Sequence, residues 1–466
     1  MVDNGVWRIA VVGMGFAGSA TAVALLRSWT GGPLALDLIE RSGRYGAGVA
    51  YATPYPDHLL NVPAAAMSLL EDRPGDFLEW TGQHRPGTSP RCFVPRRDFG
   101  RYVRDRLAEA ERDARSGGVS VGRRHDTAVD VLPGRCPTLV TATGERLRAD
   151  AVVLALGLPA PAHPPGLSPA LRDHPRYVAD PCDWAQLERL AGSRRVLVVG
   201  TGLTMVDVAL ALRAGERAGP QLLAVSRHGL LPRAHRTVPG SAGSAPALGR
   251  VRTADELAAR IETAMRSASA AGGDWRAVVD GLRPQAQQLW RALPPVERRR
   301  LVEHHGRRWD VHRHRMAPEI ADRLRWLRRS GSVQVRDASV IALEPAGAGA
   351  IAATLASPRG EERVVVDGLV NATGPAFDPR RSPDPLLRSL LRRGLAAPGP
   401  LRMGLATDGD GALLDASGAR SPGLYTLGAL RRGELWETTA VPEIRAQAAA
   451  IASALARRTP AALVGA

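Results

Sequence analysis

Short unbroken apolar runs alternate along this chain with stretches of helical periodicity, and the alternation occurs twice. Residues 8–12, RIAVV, predict a strand buried on both faces. A glycine-rich turn, residues 13–18, follows, then an apolar helical stretch, SATAVALLRSW, and a second strand, LALDLIE, ending at Glu40. Residues 195–199, RVLVV, begin the same series again. Gly200-Thr201-Gly202 is the turn, TMVDVALALRAG the helix and QLLAVSR (221–227) the strand. Behind each series, three short runs predict a strand meander: VSV (119–121), AVDVL (128–132) and PTLVTAT (137–143) in the first half, VQV (333–335), SVIALE (339–344) and IAATLAS (351–357) in the second. A final apolar strand closes each half, ADAVVLALG (149–157) ending at Gly157 and VVVDGLVNATG (364–374) ending at Gly374.

The predicted fold class is α/β, with two Rossmann-like three-layer dinucleotide-binding domains and a helical insertion. The first domain takes residues 1–160 and 376–466, and the second takes 161–375. Within the second, 235–331 is an excursion, the expected substrate or lid region. It opens on VPGSAGSAPALG (238–249), a candidate hinge or lid. Four helical patterns follow, over 253–268, 274–293, 294–309 and 317–331, the first with a capping box at Thr253 and Glu256. Trp275, Trp290, Trp309 and Trp326 fall here and are expected in the core, with lining of a pocket the alternative for some of them. The chain ends on a strand, GLYTLGA, a turn through Gly428, and a helix with Pro442 in its first turn.

The turns carry specific chemistry. Gly13 permits a tight turn, Gly15 close approach of a pyrophosphate, and Gly18 close packing of helix on strand. Phe16 and Ala17 stand where the helix N-terminus would face the anion, and Glu40 where a carboxylate accepts from ribose hydroxyls. In the second half the strand ends instead at Ser226-Arg227-His228. A small residue followed by arginine suits the 2′-phosphate of NADPH, with NADH the alternative. Met205 takes the third-glycine place, which implies a wider contact between helix and strand.

Composition narrows the function. The net charge of +16 is carried by arginine alone, since the chain has no lysine. Much of it is interleaved with acids, as in DRLAEAERDAR (105–115), so it reads as solvated helix faces and not a nucleic-acid surface. The missing lysine rules out Schiff-base chemistry on a lysine amine. Cys92, Cys136 and Cys182 lie far apart without a C-x-x-C, and no metal-ligand spacing occurs, so no metal is expected. Asn371-Ala372-Thr373 matches a glycosylation acceptor but falls on an expected buried strand. No apolar stretch approaches a membrane span, and the N-terminal run lacks secretion-signal flanks, so the expected compartment is the cytoplasm, with no membrane partner.

The chain resembles the FAD/NAD(P)-binding proteins, two-dinucleotide-binding flavoproteins related to class B and N-hydroxylating flavin monooxygenases. The resemblance is carried by GVAYATPYPDHLLNVPAAAMSLLEDRPGDFLEW (48–80), FVPRRDFGRYV (93–103), VGTGLTMVDVALAL (199–212), WDVHRHRMAPEI (309–320) and LGALRRGELWETTAVPEIRAQA (427–448). It implies FAD at Gly13, Gly15, Phe16, Ala17, Gly18, Glu40 and Arg41, with Asn61, Gly157, Gly374, Gly428, Glu437 and Thr438 as further cofactor contacts. It implies a nicotinamide nucleotide at Gly200, Gly202, Thr204 and Arg227. His58, Arg313 and Arg315 are candidate substrate ligands, the two arginines as a clamp for a carboxylate. Some members look like enzymes that oxidise the amine of aspartate in secondary metabolism. The activity so implied is NADPH-dependent monooxygenation, with molecular oxygen and a small-molecule substrate, an anionic amino acid or small amine, as partners. The place of a Baeyer–Villiger signature holds RYVADPCDW (176–184), which speaks against lactone or ester formation. A flavin reductase or oxidase without oxygen insertion, or a flavin-bound sensor, stay open as alternatives, as does a homo-oligomer.

Overall fold

The computed structural model describes residues 5–213, 219–236, 246 and 248–458. They divide into two compact units. One comprises Met1–Ala52, Val62–Pro159 and Ala376–Ala466, the other Thr53–Asn61 and Ala160–Pro375. The short segment Thr53–Asn61 thus groups with the second unit. No described helix is long and apolar enough to cross a membrane.

The first unit is built on a six-stranded sheet in the order Ala412–Leu414, Arg420–Thr426, Ala151–Leu154, Trp7–Val12, Leu34–Ile39, Val119–Arg124. All its pairings are parallel except that of the two C-terminal strands. Ile9 to Val12 are buried without a break, as a strand covered on both faces requires. Ala10, Val12, Val152 and Leu154 pack with Val131, Leu139 and Leu147 of a separate three-stranded antiparallel sheet and with Leu386, Leu387 and Leu390 of the Pro385–Arg392 helix. The Phe16–Ser28 helix packs on the Arg96–Ala114 and Val441–Arg458 helices.

The second unit repeats this plan on a five-stranded parallel sheet, ordered Val333–Asp337, Gln221–Ser226, Arg195–Val199, Gly368–Asn371, Tyr177–Val178. Alternation along Arg195–Val199 divides its side chains between two cores. Val196 and Val198 face the Leu203–Leu212 and Pro318–Arg329 helices. Leu197 and Val199 face the antiparallel meander, through Leu343, Ile351, Ala353, Leu355, Val364 and Val366.

Two expectations are corrected by the pairing. VSV and VQV do not belong to the meanders; each is the third parallel strand of its main sheet, paired with the strand that follows the glycine turn and its helix. The meanders are formed by later runs, Ala128–Leu132 with Thr138–Thr141 and Arg146–Arg148, and Ser339–Ala346 with Ala350–Ser357 and Gly360–Val366. Likewise VVVDGLVNATG is not one strand. Val364 to Val366 finish the meander and Gly368–Asn371 enters the main sheet. The change of sheet falls at Asp367, whose carboxylate caps the backbone N–H groups of Arg194 and Arg195.

The excursion is helical, but in shorter pieces than its periodicity suggests. Trp275–Leu282 and Ala286–Ala292 are separated by a 3-10 turn containing Pro284, which cannot donate to the helix ladder. The Pro295–Arg300 helix passes through a π turn, Leu301–His305, into Gly306–Arg313. The Thr253 side chain caps its helix as expected, accepting from Glu256 N. Of the four tryptophans only Trp290 is fully buried; Trp326 is 52% exposed, with the Arg323 guanidinium over its ring. The candidate hinge at 238–249 lies largely outside the described residues.

Candidate functional site

Each glycine turn sits at the carboxyl end of the central strand, where the neighbouring strands lead to opposite sides of the sheet. That is the topological switch point at which open α/β sheets bind nucleotides. The two turns match bond for bond. Gly13 N donates to Ile39 O, and Gly200 N to Val225 O. Ala155 N donates to Val12 O, and Ala372 N to Val199 O, each at 2.8 Å. Gly13 and Gly200 both have positive φ, 90° and 120°. A β-carbon on Gly13 would lie 2.6 Å from Ala155 O, and one on Gly200 2.0 Å from Ala372 O. Glycine is therefore required twice over at these positions, by backbone conformation and by contact. Gly157 and Gly374 follow the two alanines, and both also have positive φ.

Gly15 and Gly202 are the N-caps of the helices that follow, and neither helix has a side-chain cap. The first-turn N–H groups, at Phe16 and Ala17 in one unit and Leu203 and Thr204 in the other, have no partner further back in the helix. An uncapped helix N-terminus beside a glycine turn is a cradle for a phosphate. Gly18 closes the first turn tightly, for a β-carbon there would stand 1.9 Å from Gly13 O. Met205 occupies the equivalent place in the second turn, fully buried in that unit's core. The first helical bond is 3.0 Å at Ser19 and 3.3 Å at Val206.

The matched bonds make Ser226 the counterpart of Glu40. Glu40 is buried; one carboxylate oxygen accepts from Met14 N at 2.8 Å, the other from Ser42 N and Oγ. Two carboxylate oxygens offer about four acceptor directions, so capacity for a ribose hydroxyl remains. Arg41 beside it is exposed. In the second unit Ser226 Oγ is hydrogen-bonded to Thr201 Oγ1 at 2.8 Å, and Arg227 extends into solvent.

A loop that sequence spacing did not single out completes the first cradle. Gly46 N donates to Met14 O, and the backbone of Gly48 presses against Gly15. With φ 56° and a β-carbon position 2.7 Å from Gly15 Cα, Gly48 has no room for a side chain. Gly48→Ala is expected to push the loop off the turn and lower the flavin content of the purified protein, read from its absorbance; full flavin occupancy would contradict this. At the chain's far end Gly428 N donates to Gln447 Oε1, Gln447 Nε2 to Thr438 Oγ1, and Thr438 Oγ1 to Gly428 O. This closed ring of buried bonds fixes the turn before the Val441–Arg458 helix, with Glu437 buried beside it.

The substrate candidates are placed in the second unit. His58 is fully buried with both ring nitrogens engaged, Nδ1 with Thr53 Oγ1 and Nε2 with Asp207 O. It ties the Thr53–Asn61 segment to the Leu203–Leu212 helix, an anchoring role. Asn61, expected near the flavin, gives its carbonyl to His235 Nε2 at 3.0 Å. Arg313 and Arg315 are both buried. Arg315 donates from Nη2 to Asp280, and its Nε has no partner among the described residues. Burial pulls its pKa below the ordinary arginine value; Asp280 opposes this, and Arg313 and Arg276 add to it.

His235 shares this environment. Burial, with Arg315 second, brings its pKa down from 6.5 to about 4. Between those values the unfolded chain takes up a proton that the folded chain refuses, so stability falls as pH drops from 6.5 towards 4, by on the order of 3 kcal/mol at most. His235→Gln keeps a donor for Asn61 O and is expected to flatten the melting temperature across that interval. Parallel curves for the two proteins would contradict this.

Residues 10–159 match a family described as FAD-NAD(P)-binding. No curated protein matches the chain by sequence. Solved structures do match it in fold. An ornithine hydroxylase from Pseudomonas aeruginosa aligns with a TM-score of 0.65 at 16% identity, over 97% of this chain and 99% of that one. An FAD-bound cadaverine monooxygenase from Erwinia amylovora gives 0.66 at 14%, over 98% and 96%. An L-lysine 6-monooxygenase from Pseudomonas syringae gives 0.60 at 17%, over 97% and 99%. Residues 10–159 thus match the FAD-NAD(P)-binding family, and nearly the whole chain shares its fold with these three structures.

Proposed function

We propose that this chain is an FAD-dependent, NADPH-consuming monooxygenase that hydroxylates the nitrogen of an amino acid or other small amine. The observation that carries the reading is the pair of equivalent turns whose neighbouring strands lead to different residues, Glu40 and Ser226. Glu40 suits the free ribose hydroxyls of FAD, whereas Ser226 with Arg227 leaves room and charge for a 2′-phosphate. Bound flavin would supply two-electron redox chemistry and reaction with molecular oxygen. The chain's own residues hold and orient. First-turn N–H groups at Phe16 and Ala17 take the pyrophosphate, Glu40 the ribose, and the N-terminus of the Val441–Arg458 helix favours negative charge near the Gly428–Thr438 turn. Arg313 and Arg315 suit the carboxylate of an anionic amino acid, for which planar guanidinium groups offer paired donors. The named substrates of the three similar structures, ornithine, cadaverine and lysine, are all amines and support the oxygenase reading.

The test is a panel of amino acids and diamines screened for NADPH consumption, with mass spectrometry for one added oxygen. Coupled turnover on an amine is expected. Peroxide release with every amine tested would replace this reading by that of an oxidase.

A further inference from the structure

The second glycine turn has a neighbour 106 residues away in sequence. Arg307, in the Gly306–Arg313 helix of the excursion, stands over Gly202: a β-carbon there would lie 3.6 Å from its Nη1 and 3.9 Å from its Nη2. Nη2 donates to Leu230 O at 3.1 Å and reaches Thr201 Oγ1 at 3.5 Å. These acceptors are neutral, and among the described residues no carboxylate lies within ion-pair distance of Arg307. Asp310, the acid whose charge reaches it, is 3.7 Å from His314 Nε2. Two other partly buried arginines are matched by acids, Arg106 by Asp76 and Arg445 by Glu71. Burial also pulls the Arg307 pKa below its usual value. A desolvated guanidinium with donors to spare, set over a glycine turn and an uncapped helix, is short of an anion. The π turn Leu301–His305 immediately precedes its helix, and such turns recur at functional sites.

We propose that Arg307 is a phosphate-binding residue of the nucleotide site in the second unit, its guanidinium taking a phosphate group of the dinucleotide laid over the Gly200–Gly202 turn. The proposal rests on the nucleotide reading above, and it gives the helical excursion a part in nucleotide binding. Two phosphates have the right chemistry, the 2′-phosphate of the ribose and the bridging pyrophosphate.

The test is calorimetric titration of oxidised, flavin-loaded protein with NADP+ and with NAD+, before and after Arg307→Gln. Loss of a charge-assisted phosphate contact is expected to raise Kd about 10- to 100-fold. A loss confined to NADP+ assigns the contact to the 2′-phosphate, and an equal loss for both nucleotides assigns it to the pyrophosphate. Unchanged affinity for both overturns the proposal. A second measurement needs no variant: an arginine-selective dicarbonyl reagent on the unmutated protein, with Arg307 followed by peptide mass spectrometry. Protection by NADP+ is expected, and equal modification with and without it overturns the proposal. Should the unmutated protein bind neither nucleotide, the nucleotide reading itself falls. Binding that survives Arg307→Gln removes only the role of Arg307.

Discussion

Gly200→Ala is expected to yield a protein that keeps its flavin and loses its electron supply. The added β-carbon would meet Ala372 O at 2.0 Å, on a residue with φ 120°. Left-handed backbone alone costs a non-glycine residue about 1–2 kcal/mol, and the contact forces the turn to move as well. Displacement of a nucleotide by about 1 Å is enough to lose two orders of magnitude in reactivity. The NADPH dependence of flavin reduction should therefore weaken about 100-fold or more, while flavin absorbance per protein stays the same. Gly18→Ala should do the reverse. Its β-carbon would stand 1.9 Å from Gly13 O, and the protein should be isolated largely without flavin. A Gly200→Ala protein reduced by NADPH as readily as the unmutated one would show that the second turn is not a nucleotide site.

The second large effect is expected at the paired arginines. Arg315→Gln removes a buried guanidinium whose partner Asp280 is half exposed, so the acid left behind stays solvated. Its loss, or that of Arg313, should raise the KM for an anionic amino acid about 10- to 100-fold, the worth of one charge-assisted contact to a carboxylate. NADPH-driven flavin reduction without substrate should be unaltered. Lysine at either position should recover little, because a single ammonium cannot reproduce two parallel donors. An unchanged KM in both variants would move the substrate site elsewhere.

What was legible in the sequence was local. Gly13, Gly18 and Gly200 are required by contacts and dihedrals within a few residues of the turn or its closing strand, so their spacing announces the geometry. Glu40 and Ser226 are legible for the same reason, since each ends the strand beside its turn. VSV and VQV join the main sheets and not the meanders because strand partners are chosen by long-range register, and a three-residue apolar run fits a parallel sheet and an antiparallel one equally well. His58 reads in the sequence as a candidate substrate ligand. Its burial depends on Thr53 and on a carbonyl of the Leu203–Leu212 helix, 149 residues away. Gly48 and Arg307 carried no signal in spacing. Each acts on a glycine turn through a contact made only when distant segments pack.

NADPH-driven monooxygenation is tested by anaerobic titration of the purified protein with NADPH, followed by admission of oxygen. The protein is expected to carry flavin as purified, to lose its visible absorbance as NADPH is added, and to recover it with oxygen while an amine substrate gains one oxygen atom. A flavin that NADPH never bleaches would show that the protein is not an NADPH-dependent monooxygenase.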